Sequence, residues 1–238
     1  MKPFAAYRVD EFDFEGYAAK VVIPDTPDEK RHFALKTEYF GIETVVEEGL
    51  LERGFHVVFL TNKSRWCLGE DLDRKHRFVK YVTERYTLYP KAAAVGISCG
   101  GQIAVKYAAK YPDDVCVLYL DAPVLNYLSC PFHLDGASDR FETEFINATG
   151  LTLTDMINYR ENPIDFVPTL LAHNLPVILV CGECDKTVPF EQNGKVLFRK
   201  YREAHGNIRM IVKAGADHTP HGLPDPTEIV DFIIKHCD

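Results

Sequence analysis

Positive charge is in short supply along this chain: 27 lysines and arginines stand against 35 aspartates and glutamates, a net charge of −8. A surface of that sign repels polyphosphate backbones, which removes nucleic acid as the main partner. No window approaches the roughly 18 consecutive apolar residues that a membrane-crossing helix needs, and Met1-Lys2-Pro3-Phe4 runs into acidic sequence instead of the apolar centre of a signal peptide. A cytoplasmic location with no membrane partner is therefore expected. Cysteine is sparse and odd in number, seven in 238 residues. A chain of this length buries its own core without covalent staples, so reduced and mostly buried thiols are expected. Internal repeats, low-complexity tracts and long charge runs are also missing, which leaves a second autonomous domain without support. The remainder is ordinary globular composition, 46% apolar and 12% aromatic with a single Trp.

Short β-branched runs alternate with segments of helical period along almost the whole length. That alternation builds an α/β fold with a mostly parallel central sheet and helices on both faces. The runs predict strands at 19–23, 34–39, 55–61, 92–97, 116–120, 176–181 and 207–213, and helices at 43–53, 71–86, 100–110, 191–204 and 227–235. The rhythm breaks between Leu120 and Pro176, a stretch punctuated by Pro123, Pro131, Gly136, Gly150 and Pro163. One domain over 1–238 is expected, with a small cap or lid inserted at about 124–172 and short helices near 141–148 and 154–159.

The segment Val95-Gly96-Ile97-Ser98-Cys99-Gly100-Gly101 joins a predicted strand to a predicted helix. G-x-S-x-G at such a junction has a steric cause: the serine is forced into a strained bend, so the positions two before and two after it must lack side chains. Gly96 and Gly100 fill those positions, and Gly101 is expected to let the helix lie close against its strand. A serine hydroxyl is a weak nucleophile near its free pKa and needs a base, itself oriented by a carboxylate. Asp185, in the turn after strand 176–181, and His218, after strand 207–213, supply both in the chain order Ser, acid, His. His221 competes for the base, and Asp121, at the end of strand 116–120, competes for the acid.

The motifs G-I-S-C-G-G at 96–101, D-A-P at 121–123, G-E-C-D-K-T-V-P at 182–189 and H-T-P-H-G-L at 218–223 together resemble the α/β-hydrolase superfamily, and within it the prolyl-oligopeptidase-like serine esterases and hydrolases. The resemblance implies the α/β-hydrolase fold, a Ser98/Asp185/His218 catalytic triad working through an acyl-enzyme, and no metal or organic cofactor. His221 is then expected to line the mouth of the site. Relatives carry glycine where this chain has Asp217, whose carboxylate is expected to face solvent. The oxyanion hole is expected from the backbone N–H of Cys99, at a helix start, and from Leu35 N–H; Lys36 is expected as a substrate-facing cation. Relatives often carry aromatic and arginine residues around Leu35 and Lys36, so this chain departs from them there.

Cys181 and Cys184 form a C-x-x-C pair, but no second pair at matching spacing completes a zinc site and the pair closes a strand instead of opening a helix. Cys99, beside Ser98 at a helix N-terminus, is expected to have a lowered pKa and some sensitivity to oxidation. Trp66, Tyr127, Phe132, Phe141, Phe145 and Tyr159 are candidates for the acyl pocket or cap, with Trp66 and Tyr127 taken as substrate-binding residues. The expected activity is a serine carboxylesterase acting on small or carbohydrate-linked acyl esters. The alternatives are a peptidase or acylaminoacyl amide hydrolase, and a binding protein on the same scaffold. The expected partner is a small-molecule acyl ester, and a homo-oligomer stays open.

Overall fold

The computed structural model describes residues 4–137 and 140–237. The chain begins with an antiparallel hairpin, β1 (Arg8–Phe14) and β2 (Tyr17–Ile23), turned at Glu15 and Gly16, which both hold positive φ. Two such residues are what the right-handed twist of a tight hairpin demands. β1 lies outside the predicted strands: its sequence RVDEFDF carries charges on an edge strand that is nowhere fully buried. Next come β3 (Phe33–Lys36), α1 (Val45–Glu52), β4 (His56–Leu60), α2 (Gly69–Tyr86), β5 (Ala92–Ile97), α3 (Cys99–Lys110) and β6 (Val115–Asp121). After a long excursion holding α4 (Glu142–Thr149) and α5 (Val167–Ala172), the chain closes with β7 (Val177–Gly182), α6 (Gly194–Glu203), β8 (Ile208–Lys213) and α7 (Thr227–Cys237).

The sheet is open, in the order β1-β2-β4-β3-β5-β6-β7-β8. β1 and β2, and β2 and β4, pair antiparallel; every later pairing is parallel. β3, β4, β5 and β7 are buried along their whole length, which accounts for their continuously apolar sequence. One face packs against α2, α3, α5 and α6 through Phe78, Val82, Ile103, Leu170 and Tyr201. The other packs against α1 and α7 through Leu50, Ile229 and Ile233. This is the mostly parallel α/β-hydrolase architecture that the sequence predicts. β3 stops at Lys36, short of the predicted 39, because Tyr39 adopts φ +56° and cannot continue a strand.

Between β6 and β7, Trp66, Tyr127, Phe132, Phe141 and Phe145 form a third apolar cluster. α4 falls where a short helix is predicted, whereas 155–157 forms only a 3₁₀ turn. The expectation of uniformly reduced thiols is corrected: Cys116 of β6 and Cys237 of α7 form a disulfide with Cα atoms 5.2 Å apart. α7 lies on the face of β6 that carries Cys116, so packing brings together thiols 121 residues apart. Cys67, Cys99, Cys130 and Cys181 are buried and free, and Cys184 is exposed.

Candidate active site

Neighbouring strands β5, β6, β7 and β8 point the same way, and the loops at their carboxyl ends converge. Ser98 caps α3 with φ +51° and ψ −119°, a conformation that costs an L-residue about 1–3 kcal/mol and persists only where its surroundings impose it. They do: its N–H donates to Asp121 O at 2.8 Å, and its carbonyl accepts the N–H groups of Gly101 at 2.9 Å and Val124 at 3.0 Å. A Cβ on Gly96 would lie 2.7 Å from Gly100 O, which makes glycine obligatory beneath the bend. Gly101 is needed for a different contact from the expected one. Its Cβ would meet Pro123 at 2.4 Å, so the close approach is to the loop after β6 and not to the helix's own strand.

Ser98 Oγ stands 3.1 Å from His218 Nε2, and His218 Nδ1 stands 2.7 Å from Asp185 Oδ2. The other Asp185 oxygen accepts the N–H groups of Thr187 at 2.9 Å and Val188 at 2.8 Å, which locks the carboxylate in the turn after β7. Of the competing residues, Asp121 and His221 pair with each other instead: His221 Nδ1 lies 2.9 Å from Asp121 Oδ1. Asp121 also accepts the Tyr119 hydroxyl at 2.9 Å and Gly222 N–H at 2.6 Å, so it anchors the loop that carries His221. The two imidazoles meet edge to face with ring centres 4.9 Å apart, and His221 lines the pocket beside Ser98. Asp217 is exposed, and Oδ1 accepts the N–H of Lys186 at 2.9 Å and of His218 at 2.8 Å. Those two donors hold its carboxyl below the usual aspartate range.

Ser98 and His218 open into a cavity of about 620 Å³, with Tyr39, Arg65, Arg140 and Phe141 among its walls. Four expectations about this cavity are corrected. Leu35 lies inside β3, paired to Val58 on one side and Ala94 on the other, and is fully buried away from the pocket; the loop after β3 reaches it through Tyr39. Lys36 is fully buried and ion-paired to Glu47 of α1, so it faces core and not substrate. Trp66 and Tyr127 are almost fully buried and line a separate cavity of about 480 Å³ behind the aromatic cluster. Each ring satisfies its polar atom internally, Trp66 Nε1 donating to Glu144 at 3.0 Å and Tyr127 hydroxyl to Gln102 at 2.6 Å, as buried Trp and Tyr usually do.

Burial pushes the Cys99 thiol up to about 11, against the expected fall: loss of water outweighs both the helix terminus and the nearby Arg65. The Cys99 backbone N–H, by contrast, is one of the first N–H groups of α3 and has no partner within the helix. Arg65, Arg140 and Tyr39 were not singled out as site residues from sequence, because nothing in their spacing distinguishes a pocket wall from a solvated loop. Among the described residues, no group of three or more His, Cys, Asp and Glu side chains is arranged to hold a metal ion, and no helix is long and apolar enough to cross a membrane.

The sequence matches the model of the prolyl oligopeptidase family over residues 72–235, a span that takes in Ser98, Asp185 and His218. No curated protein is similar enough in sequence to match it. Among solved structures it is similar to Est1E from Butyrivibrio proteoclasticus, with 18% identity, a TM-score of 0.68, and coverage of 96% of this chain and 98% of that one. It is also similar to TT1662 from Thermus thermophilus, with 17% identity, a TM-score of 0.68, and coverage of 97% and 98%. The dipeptidyl peptidase 4 of Porphyromonas gingivalis aligns at 14% identity and a TM-score of 0.69 over 97% of this chain, which spans only 35% of that protein. At these identities the likeness is one of fold.

Proposed function

The chain belongs to the prolyl oligopeptidase family of serine hydrolases, and from that premise we propose that it cleaves carboxylic esters of small or carbohydrate-linked acyl groups, with Ser98, His218 and Asp185 as its catalytic residues. One observation carries this reading: a strained serine at the mouth of a cavity, 3.1 Å from an imidazole whose far nitrogen is 2.7 Å from a buried carboxylate.

In the proposed cycle, Ser98 Oγ attacks the ester carbonyl while His218 Nε2 takes its proton. Asp185 holds Nδ1–H and stabilises the imidazolium without itself being protonated. The oxyanion meets Cys99 N–H and a second donor from the loop after β3, at Tyr39; each such donor contributes about 3–4 kcal/mol to a transition state of this kind. The tetrahedral intermediate collapses, His218 returns the proton to the leaving alkoxide, and the alcohol departs. Water, deprotonated by the same imidazole, then attacks the acyl-enzyme, releases the carboxylic acid and restores the Ser98 hydroxyl.

Esters are favoured over peptides by the surroundings of Ser98. Extended peptides commonly bind by adding a strand to a free sheet edge, but β5 is paired on both sides, with β3 and β6. The test combines a fluorophosphonate probe with 4-nitrophenyl acetate and an acyl-peptide anilide. Labelling that disappears in Ser98→Ala, together with faster turnover of the ester, is the expected result. Preferential cleavage of the anilide supports a peptidase instead, and no labelling of the folded protein supports an idle binding scaffold.

A further inference from the structure

The cavity that Ser98 faces carries two guanidinium groups, Arg65 and Arg140, and both lie against one ring: Arg65 is 5.0 Å and Arg140 4.8 Å from the centre of Phe141. Arg65 is held by a bidentate ion pair in which Nε donates to Glu144 Oε1 at 2.7 Å and Nη2 to Oε2. Glu144 is steadied in turn by the Trp66 indole N–H at 3.0 Å. The Tyr39 hydroxyl also contacts the Arg65 guanidinium. Burial alone disfavours the charge on Arg65, but Glu144 and Tyr39 outweigh it and keep the group cationic.

A surface ion pair that served stability alone would have little reason to reach a catalytic cavity. The fork to Glu144 uses Nε and Nη2, which fixes the plane of the guanidinium and leaves Nη1 outside the pair. Carboxylates also line the cavity, but they sit elsewhere. Glu43 lies by His221 at 3.8 Å, and Asp217 is engaged by backbone N–H groups. Positive charge is thus gathered around Phe141, on a wall shared with the nucleophile.

We propose that Arg65 and Arg140 form a carboxylate-recognising subsite of the Ser98 pocket, so that preferred substrates are esters bearing a free carboxylate. Rigid guanidiniums suit that task because the planar fork matches a carboxylate, while Phe141 supports the cations and packs the adjoining carbon chain. The inference rests on the reading of Ser98 as nucleophile. The shared chemistry is an anionic carboxylate on either side of the scissile bond, and the two sides are separable by experiment.

The test measures kcat/KM for two matched ester pairs. One pair carries the charge on the acyl side, a 4-nitrophenyl monoester of adipic acid against its terminal amide. The other carries it on the alcohol side, 4-acetoxybenzoate against 4-acetoxybenzamide. The proposal expects a preference of about tenfold or more for the anion in at least one pair, the size of a charge-assisted contact, shrinking as salt is added. The pair that shows it identifies the side of the bond. In Arg65→Gln/Glu144→Gln, which removes both charges and preserves shape, the preference is expected to collapse toward unity. Arg140→Gln should lower it as well, and supplies a second reading should the double variant fail to fold. Equal rates for both members of both pairs in the wild-type protein overturn the subsite, as does a preference that survives in both variants. Fluorophosphonate labelling of Ser98 separates the two levels: labelling without anion preference overturns only the subsite, and absence of labelling overturns the nucleophile assignment and the subsite with it.

Discussion

The carboxylate of Asp217 accepts the backbone N–H of Lys186 at 2.9 Å and so ties the loop carrying His218 to the loop carrying Asp185. Neither loop belongs to a regular element, and the 2.7 Å contact between imidazole and acid spans the gap between them. Asp217→Ala removes the tie without touching the reacting atoms. We expect kcat to fall about 10- to 100-fold with little change in KM, since small misplacements of a base are costly. Asp217→Asn, whose side-chain oxygen still accepts an N–H, should recover much of the loss. Steady-state kinetics of the two variants side by side check this.

Lys36 and Glu47 form an ion pair with almost no exposure, and Glu47 Oε2 has no hydrogen-bond partner. Lys36→Ala strands a buried carboxylate and should destabilise the fold by about 3–5 kcal/mol in urea unfolding. Lys36→Met/Glu47→Leu removes both charges and should restore stability to within about 1 kcal/mol of wild type. Its kcat/KM should match the wild-type value, as a residue turned away from substrate requires.

Lys75 is fully buried, donates to Leu60 O at 3.0 Å, and is held down to about 8 by loss of water. Below pH 8 the amine is charged in both folded and unfolded chains and the burial penalty is fully present. Between pH 8 and the ordinary value of 10.5 the unfolded chain binds more protons than the folded one, so stability rises with pH. The full rise is roughly 3 kcal/mol. Lys75→Met should be more stable than wild type at pH 7, and the difference between the two proteins should narrow as pH rises from 8 to 10, read from denaturant midpoints.

The Cys116–Cys237 bridge closes a loop of 121 residues and pins α7 to β6. Reduction, or Cys237→Ala, should cost about 2–4 kcal/mol of unfolding free energy and lower Tm by roughly 5–15 °C. Differential scanning fluorimetry with and without reductant measures it; an unchanged Tm would show that the bridge contributes nothing.

The parallel part of the sheet was legible because two-sided burial writes continuous apolar runs, as in Val177–Gly182. The edge strand Arg8–Phe14 was not, since its half-exposed charged sequence reads equally well as a loop. Ser98, Asp185 and His218 could be picked out because the bend and the turns around them demand particular neighbours. Leu35, Lys36, Trp66 and Tyr127 stand close to the site in sequence, but closeness does not say which way a side chain points. In a strand a single step reverses the face, and Lys36 takes the side of Glu47. The bridge between Cys116 and Cys237 depends on where a helix from the far end of the chain lies against the sheet, a long-range relation that no local pattern encodes.

Ser98 and His218 are 120 residues apart in the chain, but they hang from β5 and β8, separated by three inter-strand steps of roughly 4.8 Å each. The hydrogen-bond ladder therefore acts as the ruler that sets their separation across the molecule, and everything between β6 and β7 lies off that ruler. The excursion between those strands is free to lengthen, shorten or be severed and rejoined in descendants of this sequence, reshaping what is admitted to the pocket while the spacing of the reacting groups stays as the backbone sets it.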